Sequence, residues 1–123
     1  MQKTTITVLG VGNILLQDEG FGVRVIETMT RRFSFPPNVQ VLDGGTLGIE
    51  LLRFLEDTEK LIIVDAIAGG KPPGTVYQFS DSEVLAYFKD KVSAHELGIQ
   101  DVLATLRVRG KQPITQVVIG VEP

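Results

Sequence analysis

Three side chains in this sequence have the types and places that chemistry needs: Glu19, Asp65 and the chain's single histidine, His95. Asp65 follows the apolar run Leu61-Ile62-Ile63-Val64. A carboxylate ending such a run sits next to a low-dielectric interior and must be paired, hydrated or metal-bound. Glu19, with Asp18, stands just before an amphipathic stretch. Two adjacent acids there also read as helix caps, because both charges suit the positive end of a helix dipole. His95 opens another helical stretch, where the same dipole lowers its pKa and keeps the imidazole neutral and able to ligate a metal. Two oxygen donors and one nitrogen donor suit a divalent ion such as nickel, zinc or manganese, with open positions left for a substrate.

Other chemistries are excluded by residues that are missing. The chain has no cysteine, so it has no disulfide, thiolate metal site or cysteine nucleophile. Position 99 is Ile99, which rules out a His-Glu-x-x-His zinc site on His95, and no Gly-x-Ser-x-Gly elbow occurs. Gly10-Val11-Gly12 begins like a dinucleotide fingerprint, but the third glycine would fall at Leu15. Helix periodicity starts only after Gly20, too late to place a pyrophosphate on a helix N-terminus. Gly10 and Gly12 read instead as a tight turn with close packing.

The elements that must position the three residues follow from hydrophobic periodicity. Ile6 to Gly10 is β-branched and apolar and reads as a first strand. Phe21, Val25, Ile26, Met29 and Phe33 recur at helical spacing before Pro36-Pro37 stops the pattern. Val39 to Leu42 is a second strand, ending at Asp43-Gly44-Gly45-Thr46. Thr46 is placed to cap a helix carrying Leu47, Leu51, Leu52 and Leu55. The run Leu61 to Val64 marks a third strand covered on both faces, hence central in a parallel sheet. The stretch from Ile67 to Gly74 is too short for a parallel crossover, so the fourth strand, Thr75 to Phe79, runs antiparallel. A short helix through Glu83 to Phe88 follows, then a helix to about Val108 with Ile99, Val102, Leu103 and Leu106, capped by Ser93 with Glu96. Gln116 to Val121 is the last strand.

Strands alternating with helices predict an α/β fold of three layers, α/β/α, around a mixed, mostly parallel five-stranded sheet. Right-handed crossovers give the order 2-1-3-5-4 with strand 4 antiparallel. Ligands in such sheets bind outside the carboxyl ends of strands 1 and 3, where the order reverses, and the loops holding Glu19, Asp65 and His95 converge there. A length of 123 residues fits a single domain, 1–123. Hydrophobic residues at 43% and charged residues at 22% fit a globular chain, and the net charge of −3 leaves no basic patch for nucleic acid or an anionic membrane. Zero cysteines and no export signal point to the cytoplasm.

Four motifs in register are similar to those of a known family. The segment from Gly10 to Gly22, then Asp43-Gly44-Gly45-Thr46, then Asp65-Ala66 with Pro73-Gly74, then Ser93-Ala94-His95-Glu96-Leu97-Gly98, resembles the nickel-iron hydrogenase maturation proteases. The resemblance implies an endopeptidase that removes the C-terminal extension of the nickel-iron hydrogenase large-subunit precursor once nickel is inserted. It implies that nickel in the precursor is the recognition signal, and that the family's metal-contacting residues are Glu19, Asp65 and His95. Zinc or another divalent ion can occupy the same donors. Catalysis then runs either through a carboxylate acting as general base on water or through the ion polarising the carbonyl or water. The rival readings are a non-enzymatic nickel-binding module that inspects a metallocentre without cutting, and a small nucleotide-binding domain.

The family continues past the last strand into a further helix, which is absent from these 123 residues. Val117, Ile119 and Val121 alternate in direction with Val118 and Gly120. One of these two sets is therefore expected to be exposed for a central strand, and self-association or cover by a neighbouring molecule is expected to follow.

Overall fold

The computed structural model describes residues 5–11, 21–44, 50–67, 70–84 and 97–122. Strand β1 spans Ile6–Gly10, β2 Val39–Asp43, β3 Lys60–Ala66, β4 Val76–Ser80 and β5 Thr115–Val121. Helix α1 spans Phe21–Arg32, α2 Leu51–Leu55 and α3 Leu97–Val108. The strands form one five-stranded sheet in the order β2-β1-β3-β5-β4. Only β4 runs antiparallel, against β5. Both the order and the reversed strand are those expected from the apolar run of β3 and the short connection that follows it.

The sheet separates two apolar layers. On one face Leu9, Leu61, Ile63 and Val118 pack with Leu51 and Leu55 of α2, Val84, and Val102, Leu103 and Leu106 of α3. On the other, Val8 and Val64 close on Ile26 of α1, flanked by Val25, Met29, Val41 and Ile62. Residues 82–84 begin a helical turn whose Val84 is fully buried; the remainder of the expected Glu83 to Phe88 helix, Thr46 and the Ser93–Glu96 cap lie outside the described residues.

One apolar position departs from the periodic pattern. Phe33 was expected on the core stripe of α1, yet it is 61% exposed. The helix ends at Arg32; the Phe33 amide still donates to the Met29 carbonyl, but Phe33 stands one residue past the helix and belongs to neither apolar cluster. On β5, Val118 and Gly120 are buried, whereas Val117, Ile119 and Val121 are half-buried. These three share a face with Val76 of β4, which lies across from Val121 and is 66% exposed. The large cluster thus draws on the Val118 side of β5, and neither set is exposed as expected: the Val117 side is half-buried.

A second, polar cluster ties the amino ends of the strands together. The Thr7 and Thr58 hydroxyls meet at 2.6 Å in the interior, and Gln40 Nε2 donates to Thr7 Oγ1 and to the Phe54 carbonyl, each at 2.8 Å. Every one of these buried polar atoms therefore has a partner, which is what allows two threonines so close to the core.

Candidate active site

Four parallel strands point their carboxyl ends to one edge of the sheet, and register fixes which residues arrive there. Gly10 lies across from Asp43 on β2 and from Val64 on β3, and Asp65 lies across from Gly120 on β5. Asp65 is therefore the first β3 residue past the end of β1, at the fork where the strand order reverses. It is 2% exposed, and its Oδ1 accepts the Ala66 amide at 2.8 Å. The strand end beneath it is clasped from both sides. The Val11 amide donates to the Val64 carbonyl, and the Ile67 amide to the Val121 carbonyl, each at 3.0 Å.

The first turn of α1 is seated on the same fork, and glycine makes that possible. A Cβ on Gly22 would overlap the carbonyl oxygens of Val64 and Val11, and a Cβ on Gly10 would overlap the Gly22 carbonyl and the Ile26 side chain. Neither residue has a positive φ. Their role is close approach of helix to sheet rather than backbone freedom. The element that follows the loop of Glu19 is thereby anchored one residue from Asp65.

Of the three residues expected to act together, the structure places Asp65. Glu19 and His95 lie outside the described residues; in the sequence Glu19 stands three residues before Gly22 and His95 two before Leu97, the first residue of α3. Among the described residues no three His, Asp or Glu side chains form a group that could hold a metal ion. Among them too, no helix is long and apolar enough to cross a membrane.

The same edge holds a buried acid that sequence reasoning passed over. Glu122, the residue after β5, is 7% exposed, and its Oε1 accepts the Tyr77 hydroxyl at 2.6 Å and the Lys71 amide at 3.1 Å. Its main chain is engaged as well: the Gly74 amide donates to its carbonyl at 2.9 Å, and its own amide donates to the Thr75 carbonyl at 2.8 Å. The Tyr77 phenol is held above its ordinary pKa, first because its proton is committed to Glu122, then by desolvation and by repulsion between a phenolate and that carboxylate. The available signal was an acid directly following an apolar strand at the Asp65 edge; Glu122 stands outside the strand's own alternation, so it gave no periodicity to read.

The chain matches the hydrogenase maturation protease family over residues 23–123. It is 49% identical over 119 residues to the hydrogenase 2 maturation protease of Escherichia coli, covering 96% of this chain and 73% of that one. It is 46% identical over 119 residues to the hydrogenase expression/formation protein HupD of Rhodobacter capsulatus, covering 96% of this chain but 57% of the relative, so the chain spans little more than half of that protein's length. Among solved structures, the hydrogenase maturating endopeptidase HybD of Escherichia coli superposes with a TM-score of 0.88 at 47% identity, over 98% of this chain and 75% of HybD. The structural match runs over nearly the whole chain and so takes in the five-stranded sheet. This chain belongs to the hydrogenase maturation protease family, a family of peptide-hydrolysing enzymes.

Proposed function

We propose that this protein removes the C-terminal extension of a nickel-iron hydrogenase large-subunit precursor after nickel insertion, recognising the bound nickel. The observation that carries the reading is the position of Asp65: a buried carboxylate at the strand switch point, on the edge where open α/β sheets bind their ligands. In this reading Glu19, Asp65 and His95 engage the nickel that the precursor carries, and the scissile peptide comes to rest beside the two carboxylates. Nickel is thus part of the substrate, and zinc can stand in for it on the same donors.

The chain's own groups then supply proton transfer. One carboxylate takes a proton from water as the water attacks the peptide carbonyl, and a protonated group returns a proton to the leaving amide nitrogen. The alternative route, in which the precursor's ion polarises the carbonyl or water, needs both carboxylates ionised. The reaction is placed in the cytoplasm, in keeping with a chain that has no cysteine.

The test is incubation with nickel-loaded and nickel-free precursor, followed by intact-mass spectrometry. One shorter product formed only from the loaded precursor is expected. Tight binding of the loaded precursor with no shortening would make the protein an inspector of the metallocentre and overturn the protease reading.

A further inference from the structure

We propose that Glu122 is a positioning residue for precursor cleavage: its buried carboxylate fastens the loop between β3 and β4 to the sheet and so holds in place the segment that follows Asp65. The inference rests on the functional reading above for its reaction and on the geometry here for its mechanism.

The loop leaves the sheet directly after Asp65-Ala66 and returns at Val76. Its described part is Ile67, which packs against the large apolar cluster, and Gly70 to Thr75, which is exposed at Gly70, Lys71, Pro72, Pro73 and Gly74, with Gly70 and Gly74 at positive φ. The exposed stretch has little apolar surface to seat it, so its position depends on hydrogen bonds. Three of those bonds converge on Glu122, which meets Lys71 through its side chain and Gly74 and Thr75 through its main chain, while the same carboxylate oxygen accepts the Tyr77 hydroxyl on β4. Further ties include the Lys71 ammonium, which lies 5.6 Å from the centre of the Tyr77 ring, and the Thr75 amide and hydroxyl, which both donate to the Pro72 carbonyl and close the Pro72-Pro73 turn.

Register places this anchor beside the site rather than at a distance from it. Asp65, Gly120 and Tyr77 lie side by side across β3, β5 and β4, and Glu122 stands two residues beyond Gly120 on the same face of the sheet. Gly120 leaves a gap in this row that the Ile67 side chain fills, since a Cβ on Gly120 would overlap Ile67. The loop's first side chain and its anchor thus flank the strand position next to Asp65. A carboxylate suits the task, because one oxygen takes both an N–H and an O–H donor, and charge-assisted hydrogen bonds are the stronger kind.

The experiment compares wild type, Glu122→Gln and Glu122→Ala by amide exchange and by steady-state processing of nickel-loaded precursor. Glutamine keeps an acceptor oxygen in place; alanine removes it. In Glu122→Ala, exchange at Lys71 is expected to rise at least about tenfold while Leu61 to Val64 stays protected. KM for the precursor is expected to rise about tenfold with kcat within about twofold, because the loop that follows Asp65 has loosened and the chemistry has not changed. Glu122→Gln should stay within about threefold of wild type in both readouts. The proposal is overturned by unchanged Lys71 exchange in Glu122→Ala, by lost protection with an unchanged KM, by Glu122→Gln matching the alanine variant, or by loss of protection throughout the sheet, which would make Glu122 a determinant of folding alone. A wild-type chain that cuts no precursor overturns the functional reading instead, while the exchange data still decide whether Glu122 holds the loop.

Discussion

Gly22, in the first turn of α1, lies directly against the Val64 carbonyl, one residue before Asp65. Helix and strand therefore move together, and any side chain at position 22 must push α1 away from the fork. Alanine is the better helix former by about 1 kcal/mol. Overlap with two backbone oxygens outweighs that preference, and Gly22→Ala is expected to destabilise the fold by about 1–3 kcal/mol, read from urea unfolding. Gly110→Ala is the control: Gly110 has φ +70° but open space around it, so only backbone strain of about 1 kcal/mol should appear. If the two variants behave alike, close packing at the fork is not what glycine provides at position 22.

Asp65→Asn preserves shape and the acceptor for the Ala66 amide but removes the charge. Precursor processing is expected to fall by about 10²–10⁴-fold, in line with loss of a general acid or base, with a urea midpoint close to wild type. Residual activity above a tenth of wild type would shift the chemistry away from Asp65.

Glu19→Gln and His95→Ala are expected to abolish cleavage of nickel-loaded precursor as completely as Asp65→Asn, because three groups acting on one ion fail as a unit. Asp18→Asn should cost no more than the ~1 kcal/mol of a helix cap and leave processing nearly intact. Mass-spectrometric time courses on the four variants distinguish these outcomes. Equal inactivation by Asp18→Asn would give the neighbouring acid the role assigned here to Glu19.

The buried hydroxyl pair predicts a coupling. Thr7→Val strips the Thr58 hydroxyl and Gln40 of a shared partner, and Thr58→Val does the same to Thr7, so each single change is expected to cost about 1–3 kcal/mol. In the double variant the two hydroxyls are lost together, and the measured cost should be less than the sum of the singles by about 0.5 kcal/mol or more. Strict additivity in chemical denaturation would show that the pair contributes nothing as a pair.

Tyr77 gives the pH dependence. Its folded pKa is raised above 10.0, so the stability its hydrogen bond to Glu122 provides is fully present below the unfolded value and is lost as pH rises through the folded one. Wild type should lose its advantage over Tyr77→Phe between about pH 10 and the alkaline limit of folding, while the difference stays flat from about pH 7 to 9. Parallel urea titrations across that range test it; a difference that already shrinks near neutral pH would point to the Glu122 carboxylate instead.

The sheet was legible in the sequence because its order follows from local features. An unbroken apolar run at Leu61 to Val64 requires cover on both faces, a connection as short as Ile67 to Gly74 forbids a parallel crossover, and strand handedness does the rest. Asp65 could be singled out for the same reason: a charge closing an apolar strand is anomalous on the linear chain. Glu19 and His95 stand out by residue type and by their expected place on connections at the same sheet edge, and the family motifs match them by position. Tertiary structure alone decided that Glu122 is buried, that Thr7, Thr58 and Gln40 share one set of hydrogen bonds, and that Gly22 touches Val64. Each of these joins residues tens of positions apart in the chain, through strand register or through a helix meeting the sheet. Hydrophobic period reports which face of its own element a residue occupies, but not which residue stands opposite on another. Phe33 shows the same limit from the other direction: its spacing continues the stripe of α1, yet no apolar residue of the sheet or of another helix stands opposite it in either cluster, and it is exposed.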